Sequence, residues 1–388
     1  MRQTPPRPEP AARPLFERAA RARRKLAQGT LVLGAATLLA ACSAEESGQS
    51  ALHPAGPYAQ APHDLITIVF AIALAVFVLV QGLIIYSVVK YRQKPDDDGS
   101  LPAQVHGNTK LEIIWTVIPA LILAVIAVPT VQGIFEQTDE PEGDFLTVEV
   151  IGHRWWWEFR YPEQAGIPET IYTANELVIP VDVPVRLQMT SEEAGSAEQA
   201  VLHSFWVPPL GGKQDTVPGQ ITTLNLQADR EGRFLGQCAE YCGLSHVNMR
   251  NRAVAMEQGA FDEWVAQQTT PAEIPADGTL EAEGRALFAD LGPGPDGDTR
   301  QACVQCHQVF EEGDSRAGGV GPDLTHLFSR DEFIGAIEEL DEDNLRDWLE
   351  DPDAMKPMQY EQNNIGMPDL DLTDDELDAL VAYLMTLG

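Results

Sequence analysis

Two long apolar runs precede a series of short, mixed segments in this chain. Residues 65–89 and 113–134 are almost free of charge, and each exceeds the roughly 20 residues that a membrane-spanning helix requires. Pro119 and Pro129 in the second run are compatible with a span, because neighbouring helices satisfy the freed backbone groups. The pattern predicts a transmembrane hairpin, and a buried hairpin in a soluble protein is the alternative.

Charges beside the two runs indicate their orientation. The basic residues between the runs are Lys90, Arg92, Lys94 and Lys110, whereas residues 43–64 contain no Lys or Arg. Basic loops stay in the cytoplasm, so this loop is expected there, with both ends of the hairpin outside.

From residue 145 the pattern changes to short β-rich segments separated by Gly, Pro and Asp. The predicted strands are residues 145–151, 155–161, 177–180, 185–190, 221–228, 233–237 and 252–257. They indicate a β-sandwich, closed by a short helix over residues 261–268. The chain is predicted to end in an amphipathic helix over residues 373–386, with Thr373 and Glu376 as a capping box.

The first 41 residues have the layout of a secretory signal: a basic stretch, an apolar run and small residues. An uncleaved apolar segment is the alternative, although it is short for a span. The sequence Leu39-Ala-Ala-Cys42 resembles the bacterial lipobox, in which the cysteine receives lipid.

These features predict six segments. They are a lipoprotein-type signal peptide (1–41), an extracytoplasmic segment (42–64), the hairpin (65–140), the sandwich (141–268), a Pro-rich linker (269–278) and a C-terminal module (279–388).

The formal net charge of −33 excludes most nucleic-acid binding. Residues 1–41 hold eight Lys or Arg against two acidic residues, so the remainder is more acidic still. Such a surface attracts a basic partner, for example a small cytochrome, through steering that salt weakens. Acid enrichment for solubility in salty surroundings is the alternative.

Four soft or borderline metal ligands lie within twelve residues: Cys238, Cys242, His246 and Met249. A fifth candidate, His203, stands upstream. A structural zinc site would leave Met249 without a role, whereas copper electron-transfer sites use thiolate, two His and a weak thioether. Two thiolates could bridge a copper pair. Zinc binding and a disulfide between the two cysteines remain alternatives.

A second redox motif follows the linker. Cys303-Val-Gln-Cys306-His307 has the spacing of c-type haem attachment, in which the thiols reach the vinyl groups and the His binds iron. A redox dithiol and half of a zinc site are the competing interpretations.

Downstream segments extend the haem motif. Gly321-Pro322-Asp-Leu324 resembles the cytochrome c loop beside the proximal His, and Gly366-Met367-Pro368 resembles the distal Met loop. The resemblance implies an all-α class I cytochrome c domain with Met367 as the sixth ligand and Met358 as the second candidate. A His and Met pair suits a haem to electron transfer.

The copper-loop pattern Cys-x-Glu-x-Cys-x-x-x-His-x-x-Met follows His-Ser-Phe-Trp-Val-Pro and Lys-Gln-Asp-Thr-Val-Pro-Gly. Together they resemble the dinuclear copper (CuA) domain of the cytochrome c oxidase subunit II family. The resemblance implies a cupredoxin-like sandwich. Its implied ligands are the side chains of His203, Cys238, Cys242, His246 and Met249 and the backbone carbonyl of Glu240.

Further roles rest on the same resemblance. The Glu240 carboxylate is expected to face a magnesium or manganese ion shared with subunit I. Trp155 matches an exposed tryptophan through which electrons enter, whereas the aromatic run by itself favours core filling as the default. Glu112, in a stretch that also resembles the family, is expected at the start of a proton path. An interfacial carboxylate facing lipid headgroups is the alternative for Glu112.

The resemblance therefore implies subunit II of a bacterial cytochrome c oxidase with a fused cytochrome c domain. Electrons from a basic cytochrome donor would pass through haem c and CuA to the oxygen-reducing centre of subunit I, in a proton-pumping complex that also contains subunit III. The chain would cross the inner membrane, among its lipids, with both redox domains on the periplasmic side.

Three other function classes are less consistent with the sequence. Quinol oxidase and nitric oxide reductase subunits share the sandwich, but quinol oxidases lack the copper ligands. Nitrous oxide reductase requires a His-rich propeller, for which eight His are too few. A copper carrier or assembly factor would gain nothing from a covalent haem.

Overall fold

The computed structural model describes residues 48–93, 104, 107–192, 199–314, 319–358 and 360–388. They belong to one structural unit, Gly48–Gly388. The predicted signal peptide and the lipidation candidate Cys42 lie outside the described residues.

The two apolar runs form long helices, α1 (Pro57–Tyr91) and α2 (Thr109–Thr138). Both are long and apolar enough to cross a membrane, and their central windows are not covered by other parts of the chain. Each extends beyond the predicted apolar run, because polar flanking residues continue the helical hydrogen bonding. The Gln137 side chain donates to the Tyr58 carbonyl at 2.8 Å and joins the two helices.

The described residues place ten strands in the sandwich. They are β1 (Leu146–His153), β2 (Trp156–Tyr161), β3 (Ile171–Ala174), β4 (Glu176–Pro180), β5 (Val185–Ser191), β6 (His203–Trp206), β7 (Lys213–Thr216), β8 (Thr222–Leu226), β9 (Gly232–Cys238) and β10 (Arg250–Met256). One sheet has the order β3-β2-β1-β5-β8 and the other β4-β10-β9-β6-β7. Helix α3 (Gln258–Gln268) follows β10.

The core lies between the two sheets because alternate side chains of each strand point inward. Along β5 the burial alternates over most of its length, as expected for a strand with one covered face. Trp157 and Phe159 from one sheet meet Phe205 from the other in edge-to-face contacts. The predicted sandwich is confirmed, and the prediction missed β3, β6 and β7, each of four residues.

The regular structure described in the C-terminal module is mainly helical. Its helices are α4 (Leu280–Ala289), α5 (Glu342–Glu350), α6 (Pro352–Met355), α7 (Tyr360–Asn363) and α8 (Asp374–Leu384). A short ribbon, β11 (Glu332–Phe333) with β12 (Glu338–Glu339), is added to the predicted helices. Thr373 and Glu376 form the predicted capping box at the start of α8.

Candidate copper and haem sites

The copper-ligand candidates lie where the sandwich brings three strands together. Strand β9 ends at Cys238 and β10 follows Met249, and the Cys238 amide donates to the Met249 carbonyl at 2.9 Å to close the base of the loop. Strand β6 begins at His203 and pairs with β9. Residues that are 35 positions apart therefore meet because of sheet pairing.

The ligand atoms converge without any disulfide between them. Cys238 Sγ lies 3.8 Å from Cys242 Sγ and 3.9 Å from His203 Nδ1. Cys242 Sγ lies 3.5 Å from His246 Nδ1 and 3.8 Å from Met249 Sδ. The Glu240 carbonyl oxygen is 3.2 Å from Cys238 Sγ. All six predicted donors thus surround one small volume.

This geometry distinguishes a copper pair from the two alternatives, a disulfide and a zinc site. A disulfide requires sulfurs about 2.05 Å apart, so the 3.8 Å separation describes two free thiols. Each cysteine sulfur has its own imidazole neighbour, and Met249 adds a thioether that a four-ligand zinc site does not need. The donor set therefore fits a pair of copper ions, which Cys238 and Cys242 would hold as thiolates together with the other donors.

The two thiols differ in their readiness to ionise. A hydrogen bond from the Cys242 thiol, with help from His203, lowers the pKa of Cys238 to about 3. The same contact, together with burial, raises the pKa of Cys242. Two adjacent thiolates require cationic charge beside them, which metal binding supplies.

The predicted haem motif forms a tight turn. A 3-10 turn covers Cys303–Gln305, and the His307 amide donates to the Cys303 carbonyl at 2.8 Å. His307 Nδ1 lies 2.8 Å from the Pro322 carbonyl oxygen, which leaves Nε2 for iron. A Cβ at Gly321 would lie 2.8 Å from the His307 ring, so glycine permits this close packing.

Burial favours the uncharged forms of a haem-attachment thiol and of the proposed iron ligand. It raises the pKa of Cys303 to about 11 and lowers the pKa of His307. A neutral imidazole is the form that binds iron.

A cavity of about 340 Å³ opens beside this turn, at the boundary between the C-terminal module and the sandwich. Its lining includes Cys303, Cys306 and His307 together with both methionine candidates. Met358 is almost fully buried and packs behind Gly366, whereas Met367 is partly exposed. Paired thiols, an oriented imidazole and a thioether around a largely apolar cavity fit a covalently bound haem.

Trp155 lies between the two sites. It lines the haem cavity, and its indole Nε1 donates to the Cys242 carbonyl at 3.1 Å. The expectation that this tryptophan is exposed is wrong. In the full chain only 4% of the Trp155 residue is accessible to solvent. The C-terminal module covers the surface around Trp155 that would be exposed in the sandwich domain alone.

Contacts that the sequence did not indicate hold the module in this place. Arg252 and Glu332 form a two-pronged ion pair with 2.6 Å contacts, and the Arg250 amide donates to the Gly335 carbonyl at 3.0 Å. Lys356, which is 3% exposed, donates to the Trp155 carbonyl at 2.6 Å. Burial lowers the pKa of Lys356 to about 7, and the nearby Cys242 opposes this shift.

The two remaining predicted residues lie at the surface. The Glu240 side chain is exposed on the copper loop. Glu112 lies in the first turn of α2, where its carboxylate accepts a hydrogen bond from the Asn108 amide at 3.1 Å. This contact gives Glu112 a capping role at the start of α2, which is independent of any role in proton movement.

A copper site on the sandwich, a haem site on the adjoining C-terminal module and an apolar helical hairpin are together typical of an electron-transfer subunit of a haem-copper oxidase. Three sequence families match along the chain. The transmembrane domain of cytochrome C oxidase subunit II matches residues 44–132, its periplasmic domain matches residues 165–255, and cytochrome c matches residues 281–388.

Two related proteins agree with these matches. Cytochrome c oxidase subunit 2 of Alkalihalophilus pseudofirmus is 38% identical over 370 residues, which cover 94% of this chain and 98% of that protein. The protein of the same name from Bacillus sp. PS3 is 32% identical, covering 91% and 94%. The crystal structure of the periplasmic domain of subunit II of cytochrome oxidase from Bradyrhizobium japonicum is 29% identical, with a TM-score of 0.29, and covers 33% of this chain and 95% of that one.

The chain belongs to the cytochrome c oxidase subunit II family. It is an oxidoreductase subunit with a fused cytochrome c domain, and copper and haem c are its cofactors. It is a membrane protein with periplasmic domains, and subunit I is its partner in the oxidase.

Proposed function

We propose that this chain accepts electrons at the haem module and passes them through the copper site to subunit I, where oxygen is reduced. The observation that carries the proposal is the position of Trp155, which lines the haem cavity and is hydrogen-bonded to the copper loop. When bound, haem c and CuA supply one-electron chemistry. The chain supplies the ligands, excludes water from the boundary and fixes the separation of the sites.

The proposed ligands follow from the convergent donors. Cys303, Cys306 and His307 hold the haem, with Met367 as sixth ligand and Met358 as the alternative. The copper pair is held by the side chains of His203, Cys238, Cys242, His246 and Met249, with the Glu240 carbonyl. Within this assignment, the hairpin spans residues 65–140, the copper domain 141–268, the linker 269–278 and the haem domain 279–388.

The physiological donor is proposed to be a basic cytochrome that docks on the haem module. Because the covered Trp155 is not accessible to a separate protein, electrons from outside enter at the haem. Acidic residues on this module, such as Asp343 and Asp375, supply the complementary charge. Trp155 then acts between the haem and the copper rather than as the point of first contact.

The exposed rim of the copper loop is proposed to face subunit I. Tyr241, Leu244 and Val247 present apolar surface there, beside the Glu240 side chain. Such clustered apolar exposure is typical of an interface. In this arrangement the Glu240 carboxylate binds magnesium or manganese at the boundary between the subunits.

The remaining assignments concern the membrane. The chain is proposed to be multi-pass in a bacterial inner membrane, to lose its first 41 residues as a signal peptide and to carry lipid on Cys42. Glu112 is proposed to begin a proton path in a proton-translocating complex that also contains subunit III. The apolar surfaces of α1 and α2 support contact with lipid or partner subunits.

Photoreduction of the haem in the intact complex tests the relay. The haem should lose its electron as the near-infrared absorption of the copper pair decreases. A copper site that stays oxidised, or that is reduced while the haem is bypassed, would contradict the proposed order.

A further inference from the structure

Lys356 is the only lysine in residues 279–388, and it is buried at the boundary between the modules. Its Nζ atom donates to two backbone carbonyls, Trp155 at 2.6 Å and Ile334 at 3.1 Å. One carbonyl belongs to the sandwich and the other to the haem module. A buried amine is costly unless its N–H donors form hydrogen bonds. The two bonds of Lys356 therefore indicate a structural role for this amine at the boundary.

The first carbonyl connects Lys356 with both proposed sites. Trp155 forms the two-residue turn between β1 and β2 with Arg154, and its indole donates to the Cys242 carbonyl. Lys356 and Trp155 also line the haem cavity. A continuous set of two hydrogen bonds therefore runs from the haem module through Trp155 to the copper loop.

The second carbonyl belongs to a segment that passes very close to the copper loop. A Cβ at Gly335 would lie 2.5 Å from the Asn248 carbonyl oxygen and 2.7 Å from Lys356 Nζ. Gly335 has φ of +88°, a conformation that glycine adopts without strain. The absence of a side chain at this position allows Lys356 to bond both backbones at once.

Other contacts already hold the modules together. The Arg252–Glu332 ion pair, the Arg250 amide bond to Gly335 and a bond from Gln268 to the Ser329 hydroxyl at 3.2 Å cross the same boundary. Docking is thus supported elsewhere, whereas Lys356 contacts the backbone of Trp155 itself.

We propose that Lys356 is a positioning residue for electron transfer between the haem cavity and the copper loop. Its side chain fixes the Trp155 backbone against the Ile334 backbone and so sets the placement of Trp155 relative to both sites. The inference rests on the relay proposed above.

The test compares full-length variants in the oxidase complex with both cofactors loaded. Lys356→Met keeps an unbranched side chain, one atom shorter, and removes its donors, and Ser329→Ala removes the cross-boundary hydrogen bond from Gln268, remote from Trp155. After photoreduction of the haem, Lys356→Met should slow electron transfer to copper by about tenfold or more, because small displacements between reacting groups have large kinetic effects. Ser329→Ala should change the rate by less than about twofold.

Two further readouts separate positioning from general damage. The haem and copper spectra of Lys356→Met should match the parent, and reduction of its haem by an external donor should keep its rate. If Lys356→Met does not take up both cofactors, Lys356→Gln, whose shorter amide does not reach both carbonyls, should show the same slow transfer.

The outcomes are distinguishable. A parent complex without transfer from haem to copper refutes the relay itself. A parent with transfer and a Lys356→Met variant within about twofold of it refute the role of Lys356. Equal slowing by Ser329→Ala also refutes it, because the effect would then be one of docking in general.

Discussion

The Trp155 indole donates a hydrogen bond to the Cys242 carbonyl oxygen, 3.1 Å away. Cys242 is a proposed ligand of the copper pair, and Trp155 also lines the haem cavity. One side chain therefore contacts the loop of one site and the wall of the other. The packing of the haem module against the sandwich thus places Trp155 between the two sites.

Replacing Trp155 with Phe should slow transfer from haem to copper by about tenfold or more while the copper spectrum stays intact. Phe lacks the indole donor, and its smaller ring leaves the contact with the copper loop incomplete. Flash photoreduction measures the rate. Trp264→Phe is the matched control, because Trp264 packs on Phe261 and Tyr161 away from the copper loop. Unchanged kinetics in Trp155→Phe would defeat the assignment.

Replacing Met367 with Leu should abolish the low-spin absorption of a His/Met haem, because Leu conserves most of the volume and cannot bind iron. Met358→Leu should retain that absorption, since Met358 packs behind Gly366 as a buried apolar side chain. Optical spectra of the two variants decide between the candidates. The reverse pattern would assign the sixth ligand to Met358.

The ion pair between Arg300 and Glu376 predicts acid sensitivity of the haem module. Hydrogen bonds from Arg300 hold the pKa of Glu376 at about 2, below its ordinary value of 4.5. The folded state thus prefers the charged carboxylate, and this stabilisation is present above pH 4.5 and lost as pH falls towards 2. Thermal unfolding of the haem module followed at the haem band should show this loss.

Glu376→Gln should remove that part of the pH dependence and lower the midpoint near pH 7 by roughly 4–8 °C, the effect of about 1 kcal/mol in a domain of this size. The matched control is Asp374→Asn in the same helical turn, which should keep the pH profile of the parent. An identical profile in Glu376→Gln would show that the pair does not stabilise the module.

Removing residues 270–388 should leave the copper signal in place, because all proposed copper ligands precede the cut. Turnover should then depend on an added soluble cytochrome, because the intramolecular donor is lost while Trp155 becomes accessible. Oxygen consumption by the truncated and full-length complexes, with and without cytochrome, measures this dependence. Undiminished turnover without added cytochrome would count against the relay.

Much of this architecture could be predicted from local patterns. The apolar runs indicated both helices, and the dense ligand motifs identified the copper loop and the haem turn because their donors lie close in sequence. Strands β6 and β7 were missed because four residues carry little periodicity, although the motif beginning at His203 marked the start of β6.

The boundary between the modules could not be predicted, because it depends on contacts between residues far apart in the chain. The bonds from Lys356 to Trp155 and from Arg252 to Glu332 span 201 and 80 positions. Hydrophobic periodicity along the sequence carries no information about pairs of residues so far apart. The isolated Lys356 in an acidic module was the one available signal, and burial of Trp155 follows from the same packing.

The most direct test is the metal content and electron paramagnetic resonance of the matured, full-length chain. The account predicts two coppers per polypeptide and a hyperfine pattern from one unpaired electron shared equally by both nuclei, because two thiolates lie 3.8 Å apart with one imidazole beside each. Zinc in the site, or a single copper with its own hyperfine pattern, would contradict it.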